Sequence, residues 1–373
     1  MAIYLDHAAT TPLAEPVRNA MISAMMDVHG NPSSIHAAGR KARSAVEDAR
    51  RRVAGHLRAS QGEIFFTSSA TEANNTAIFC AARDLGIQAI ITSPTEHPCV
   101  LNTTRYVSEH FQIPAVMLDV QEDGRPDLNH LATLLSKYKS ALVSLMHINN
   151  ETGTISDISQ ISQLCKEHGA LFHTDAVQSL GKYDIDLSQL NVSFLSGSAH
   201  KIFGPKGSGF LYVNTNNMVQ AYIKGGGQER EMRSGTENLH GIIGLAEALD
   251  FVIEHRDKHN AHKAGLKKHF IKQLEQLQIP FEINGGRDQH SAPHVLNIGL
   301  PRNERSELIM MNLDIYGIAA SAGSACSSGV EHESHVIEAM GKSMDWKPIR
   351  FSFSHLNTLE EIEKVTETIS SLI

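Results

Sequence analysis

The stretch Ser196-Gly197-Ser198-Ala199-His200-Lys201 sets one histidine and one lysine among small residues. Small residues let a backbone approach a ligand closely. Burial lowers the pKa of a lysine and frees its amine for Schiff-base chemistry. A glycine-rich turn with a surface lysine fits the same residues. A second candidate is Cys326, in Ser321-Ala322-Gly323-Ser324-Ala325-Cys326-Ser327-Ser328-Gly329, where no large apolar side chain occurs. That composition predicts an exposed loop, and an accessible cysteine is open to thiolate chemistry. Cys80 and Cys165 instead sit in apolar helical patterns and read as small core residues. Arg350, in the strand-like run Lys347–Phe353, could clamp a carboxylate through two parallel hydrogen bonds or form a surface ion pair.

The elements that must position these groups are legible in the hydrophobic pattern. Apolar runs at Val192–Leu195 and Phe210–Val213 predict two strands flanking a lysine-bearing loop over 196–209. Upstream, strands are expected at 63–67, 89–92, 114–118, 141–147 and 171–174. They alternate with helices at 71–83, 98–110, 128–138 and 158–168. Such alternation predicts parallel strands in a sheet covered on both faces, with ligands beyond the carboxyl ends of the strands. His97, Asn150, Asp175, Gln178, His200 and Lys201 all follow strands and so gather at one edge of that sheet. Thr67-Ser68-Ser69-Ala70-Thr71-Glu72 opens a helix, where hydroxyls cap the helix or a phosphate docks on its N-terminus. A helix over 37–57 carries the stripe Ala42, Ala45, Val46, Ala49, Val53 and Leu57, with Arg43–Glu47 and Glu47–Arg51 as expected i,i+4 pairs. A helix over 240–259 leads out of the large domain, and His255, His259 and His262 share one face, as a metal row or a solvated one.

The chain has 373 residues, 41% hydrophobic and 20% charged, with formal net charge −8, which suits a globular protein and weighs against a nucleic-acid or anionic-membrane partner. No run of about 18 apolar residues and no signal-peptide pattern occurs, so the expected location is the cytoplasm. Four cysteines without a C-x-x-C pair favour neither a zinc ribbon nor a disulfide framework. The expected division is a large α/β domain over 16–255 and a small α+β domain from 1–15 and 256–373 that carries the Cys326 loop.

A lysine, a preceding histidine, an aspartate after a strand and a helix start suited to phosphate suggest pyridoxal phosphate. The aspartate would pair with the pyridine nitrogen and make the ring an electron sink. With these residues stand Tyr4-Leu5-Asp6-His7-Ala8-Ala9-Thr10-Thr11-Pro12, Gly30-Asn31-Pro32-Ser33-Ser34, Thr95-Glu96-His97, Asn149-Asn150-Glu151, His173-Thr174-Asp175-Ala176-Val177-Gln178, Arg233-Ser234-Gly235-Thr236, Ser324-Ala325-Cys326-Ser327-Ser328 and Ile349-Arg350-Phe351-Ser352. This ordered set resembles the NifS/IscS-type cysteine desulfurases, over nearly the whole chain.

The resemblance implies a fold type I pyridoxal phosphate enzyme with a mainly parallel seven-stranded sheet. It implies that Lys201 holds the cofactor as a Schiff base and moves protons, that His97 stacks on its ring, and that Asp175 pairs with the pyridine nitrogen. It further implies Gln178 at the ring oxygen, Asn150 beside ring and substrate, and Ala70, Thr71, Ser198 and His200 at the phosphate. Thr236 would reach the phosphate of the other subunit in a homodimer. Asn31 and Arg350 would bind the carboxylate of L-cysteine, and Cys326 would take its sulfur as a persulfide for an acceptor protein, a tRNA-thiolating enzyme or an iron–sulfur scaffold or apoprotein. Cys326 would touch a cluster only in such a complex; no resident metal, direct nucleic acid or membrane contact is implied. A selenocysteine lyase, another β-eliminating enzyme, or a catalytically silent sulfur-transfer scaffold shares much of the same sequence. Two residues depart from the family pattern: Ala199 and Ser69 each stand where glycine is usual. The chain also ends at Ile373, soon after its last helix, where members that dock a scaffold often carry a longer tail.

Overall fold

The computed structural model describes residues 2–323 and 334–373; Cys326 and most of its expected loop lie outside the described residues. The strands in chain order are β1 Ile3–Tyr4, β2 Ile64–Thr67, β3 Ala89–Thr92, β4 Ala115–Met117, β5 Ala141–Ser144, β6 Leu171–Asp175, β7 Phe194–Ser198, β8 Gly209–Val213, β9 Glu282–Ile283, β10 Val295–Pro301, β11 Ile318–Ala319 and β12 Trp346–Ser352. Seven of them form the central sheet in the order β2-β8-β7-β6-β5-β3-β4. Within it β8 runs antiparallel to both neighbours, and the other six strands run the same way.

Alternate side chains of these strands divide between two faces. Ile64, Phe66, Ile91, Val143, Phe172, Leu195, Phe210 and Tyr212 enter the core that includes the stripe of helix Ala37–His56. Phe65, Ile90, Leu142, Phe194, Leu211 and Val213 enter the core on the other face, under helices Ala70–Asp84 and Pro98–Phe111. A sheet covered on both faces cannot tolerate polar strand interiors, so polar groups collect at the strand ends.

From β3 the chain steps outward to β4, then returns to β5 on the other side of β3. That reversal opens a crevice at the carboxyl ends of β3 and β5. His97 follows β3, Asn150 follows β5, Asp175 ends β6, and Lys201 follows β7. A further core joins Ile3 and Leu5 to Leu266, Phe270, Ile298, Ile349, Phe351 and Val365. It lies under the antiparallel sheet β12-β10-β9 and beside the parallel pair β1–β11, so the N-terminus closes on the C-terminal third.

Several expectations are corrected. Ser196-Gly197-Ser198 belongs to β7, where these residues pair with Leu211, Phe210 and Gly209; only the turn Ala199–Lys201 and residues 202–208 connect the strands. The small residues had a different cause: a Cβ on Gly197 would sit 2.3 Å from the Phe210 ring across the ladder. The helix expected over 240–259 breaks at His255 into Leu239–Glu254 and Arg256–Gln276. His255, His259 and His355 stack on one another, whereas His262 Nε2 donates to Asn357 O at 2.9 Å. The expected i,i+4 pairs also give way. Arg43 Nε donates to Pro32 O, Arg51 pairs with Asp48, and Glu47 meets Arg50 and Arg230. Arg50 is buried, and its guanidinium is gripped by Glu229 at 2.7 and 2.9 Å. Among the described residues no helix is long and apolar enough to cross a membrane.

Candidate active site

A cavity of about 190 Å³ opens at the carboxyl ends of the parallel strands. Ten of the residues singled out in the sequence line it: Ala70, Thr71, His97, Asn150, Asp175, Gln178, Ser198, His200, Lys201 and Arg350. Two do not. Asn31 is exposed, and its Oδ1 accepts from Ser33 N at 2.8 Å, serving its own turn. Thr236 lines a different cavity, with Ser68, Glu229, Arg233 and Glu237. Asn31 is thereby corrected, since a motif fixes residue identity while the path of a loop decides which space the residue faces; Thr236, expected at the phosphate of the other subunit, is not required in this cavity.

Lys201 ends the turn that follows β7 and reaches across to the N-terminal segment. Its Nζ donates to Ala8 O and Ala9 O, both at 2.6 Å. His200 Nδ1 lies 3.2 Å from Thr10 Oγ1, and its pKa is lowered to about 4, by burial first and then by Lys201. Ala199 is fully buried, and an ideal Cβ on Gly204 would lie 2.8 Å from its methyl. The departure at Ala199 is therefore accommodated by a glycine at 204. Ser69 has a role of its own, since its Oγ accepts from Glu72 N and caps helix Ala70–Asp84.

Asp175 is held on both oxygens. Oδ1 accepts from Val177 N at 2.9 Å, and Oδ2 accepts from Asn74 Nδ2 at 2.7 Å. Asn74 is itself fixed: its Oδ1 lies 3.1 Å from His173 Nε2, and His173 Nδ1 lies 2.8 Å from Ser144 Oγ. Burial lowers the His173 pKa to about 3, so the ring is neutral and can donate from Nε2. His97 caps helix Pro98–Phe111, with Nδ1 accepting from Cys99 N at 3.1 Å, which leaves Nε2 to carry the proton. Its pKa is lowered, chiefly by burial, against the pull of Asp175. Cys99 Sγ lies 3.0 Å from His97 Nδ1 and 3.2 Å from Asn74 Nδ2, and burial pushes its thiol up to about 12.

Arg350 reaches the cavity from β12. It is buried, with Nη2 on Asp6 Oδ1 at 2.7 Å and Nη1 on Asn150 O at 3.0 Å, while Nε has no partner. The surface-pair alternative is thus set aside by burial. The chain on either side of Cys326 is tied to the same neighbourhood. Ser321 Oγ donates to Asp6 Oδ1, Ser334 Oγ to Glu151 Oε2, and His335 Nε2 to Glu96 O.

This donor set fits pyridoxal phosphate. Ala70 and Thr71 open a helix whose first-turn N–H groups suit a phosphate, beside Ser198 and His200. Asp175 offers an oriented carboxylate, and buried Gln178 has an Oε1 without a partner. Lys201 supplies the amine. The class-V aminotransferase family model matches residues 3–365. The cysteine desulfurase IscS of Pseudoalteromonas translucida is 40% identical over 382 residues, covering 100% of this chain and 93% of the relative.

The chain belongs to the class-V aminotransferases, in their cysteine desulfurase branch.

Cysteine desulfurases depend on pyridoxal phosphate, and the fold agrees with solved relatives of this branch. A "NifS-like protein" superposes with TM-score 0.91 at 34% identity, over 100% of this chain and 99% of the other. "SspA in complex with cysteine" superposes with TM-score 0.83 at 32% identity, over 94% and 98%. Sequence reasoning missed the supports of the desulfurase site: Asn74, Cys99, Asp6 and the carbonyls of Ala8 and Ala9. Asn74 alone carried a signal, a polar residue on the otherwise apolar stripe Ala73, Ala77, Ile78 and Ala81. Asp6, Ala8 and Ala9 are brought in by a segment distant in the chain, whereas Cys99 lies two residues after His97.

Proposed function

We propose that this cysteine desulfurase converts L-cysteine to L-alanine with Lys201, His97 and Cys326 as its catalytic residues. The observation that carries the assignment is the single cavity in which an amine, an oriented carboxylate and a helix N-terminus face one another beside a buried arginine. Bound there, the cofactor supplies a sink for the electron pair released at the substrate Cα. Ala70, Thr71, Ser198 and His200 hold its phosphate, Asp175 its ring nitrogen, Gln178 its ring oxygen, and Asn150 lies beside it. Arg350 orients the substrate carboxylate with the N–H groups not given to Asp6 and Asn150, and Asn31 joins it only if its turn rearranges. Lys201 takes the proton from Cα and returns one to Cβ. The Cys326 thiolate attacks the substrate sulfur: the S–S bond forms, the C–S bond breaks, and the products are alanine and one persulfide.

The persulfide then passes to an acceptor protein, in iron–sulfur cluster assembly, tRNA thiolation or cofactor synthesis. Thiolate chemistry at Cys326 needs a reducing compartment, hence the cytoplasm. The chain works as a homodimer whose Thr236 serves the partner's phosphate. Two features support this: Thr236 faces a cavity apart from Lys201, and Ile22, Met25, Met26 and Ile35 are exposed apolar side chains near the N-terminus. The division into a large domain over 16–255 and a small one from 1–15 and 256–373 is supported by the separate core around Ile3, Phe270 and Phe351.

The test is incubation of holoenzyme with L-cysteine, then mass spectrometry of the intact protein and of the peptide holding Cys326, alongside an alanine assay. One added sulfur on that peptide is expected, with alanine formation lost in Lys201→Ala. If Cys326→Ala makes alanine at the parent rate with a reductant present, the sulfur step at Cys326 is wrong and direct β-elimination takes its place.

A further inference from the structure

Lys201 also lines a second and smaller cavity, which shares no other lining residue with the cofactor cavity. It holds about 30 Å³, room for a species of about the size of one water. Lys182, Lys201, Lys263, His7, His294 and His355 line it, and Arg256 and His259 stand at its edge. These groups come from six separate segments: the N-terminal segment, the turn before Tyr183, the turn Ala199–Lys201, helix Arg256–Gln276, the residues before β10, and those after β12. Among the described residues no aspartate or glutamate lines it; the carboxylates that Arg256 meets, Asp184 and Asp257, are not among the lining residues.

The hydrogen bonding of the lining is incomplete, with donors and acceptors both unmet. His294 is 3% exposed, and neither of its ring nitrogens has a partner. His7 Nδ1, His355 Nδ1 and Asn260 Oδ1 are also without partners. Lys182 Nζ donates to Gln178 O at 2.9 Å, which uses one of its three N–H groups. Lys263 is only 6% exposed. A buried ammonium without a counter-charge is costly, and two side by side are costlier. The lysine pKa values reflect this: burial brings Lys263 down to about 8, and burial with Lys263 and Lys201 pulls Lys182 well below its ordinary value. A neutral water accepts only two hydrogen bonds and leaves the charge uncompensated. An anion accepts from several donors at once and offsets both lysines.

We propose that this cavity binds one small monovalent inorganic anion of halide size, held between Lys182 and Lys263. The small volume favours a single-atom anion over a tetrahedral oxyanion such as sulfate, and the cationic lining disfavours cations. The site is distinct from the cofactor's phosphate end, because neither Ala70 nor Thr71 lines it. Because Lys201 forms part of both walls, a bound anion counters the field that Lys182 and Lys263 exert on its amine. The proposal does not depend on which reaction the cofactor cavity carries out.

The test uses holoenzyme dialysed into sodium gluconate at pH 7 and titrated with sodium bromide at constant ionic strength. Thermal unfolding is followed, and crystals grown in bromide are examined for anomalous scattering. A saturable rise in Tm is expected with bromide and with chloride, and none with sulfate. At bromide ten times its Kd, the unfolding equilibrium constant should fall about elevenfold. An anomalous peak should lie within hydrogen-bond distance of Lys263 Nζ, and Lys263→Met should weaken binding at least tenfold. A cavity without that peak, or a Tm that rises equally with sulfate, would overturn the proposal and leave the space to water. Should Lys263→Met fail to fold, the peak in the parent protein decides alone.

Discussion

Replacing Asn74 by leucine should expose how the site holds its aspartate. Asn74 is fully buried between Asp175 Oδ2, at 2.7 Å from Nδ2, and His173 Nε2, at 3.1 Å from Oδ1. A hydrogen bond to a charged acceptor contributes about 1.5–3 kcal/mol, and a buried donor left unpaired costs about 1–3 kcal/mol. Leucine has similar volume but gives Asp175 no donor and leaves His173 Nε2–H only the longer bond to Ser196 Oγ, at 3.3 Å. The expected loss of stability is therefore about 2–4 kcal/mol in the cofactor-free protein. A double-mutant cycle with Asp175→Ala, read by urea unfolding, isolates the pair itself. The coupling should be about 1.5–3 kcal/mol. Where that energy is also needed to aim the carboxylate at the cofactor ring, the cofactor Kd should rise tenfold or more. A coupling under about 0.5 kcal/mol, the ordinary scatter for independent sites, would refute the reasoning: Asp175 would then be held by Val177 N alone.

Other consequences are equally open to measurement. Glu229→Ala leaves the buried Arg50 guanidinium without its carboxylate, so unfolding should be easier by about 3–5 kcal/mol, whereas Arg50→Met with Glu229→Leu should cost far less; equal losses in both would show that the pair is irrelevant. Burial lowers the His147 pKa to about 4 from its ordinary 6.5, so the folded state binds fewer protons than the unfolded chain between those values. Its contribution is whole above pH 6.5 and disappears as pH falls toward 4, to a limit of about 3 kcal/mol. His147→Gln should accordingly flatten the acid side of the stability curve by about one proton, and an unchanged slope would show that the ring is not titrating. Cys99, with its thiol pushed up to about 12, should alkylate at pH 8 at least ~100-fold more slowly than a free thiol, as peptide mass spectrometry would show.

Much of the site was readable because its residues sit where strands end. Asp175 ends a strand, and His97 and Lys201 each follow one of four or five residues; the carboxyl ends of parallel strands collect ligands whatever the side chains are. The helix stripe at Ala42, Val46, Ala49 and Val53 was visible for the same reason, a period set by backbone geometry. The seven-stranded, mainly parallel sheet followed from the family resemblance and from the alternation of runs, though β8 turns against its neighbours.

What the sequence by itself determined is the inventory: which groups could hold a cofactor, and that they lie on a small number of strand ends. Tertiary structure alone decided which of them share a space. Arg350 comes to Lys201 only because β12 folds back beside the N-terminal segment, where Asp6 takes its Nη2. Asn31 carries an equally strong motif and faces elsewhere, because loop paths are set by long-range packing, not by local spacing. Asn74 and Cys99 became part of the site through contacts 101 and 2 residues away in sequence, to Asp175 and His97 respectively. The smaller, cationic cavity that Lys201 also lines is the extreme case. Its walls are assembled from six segments, and no window of sequence holds more than a fragment of it.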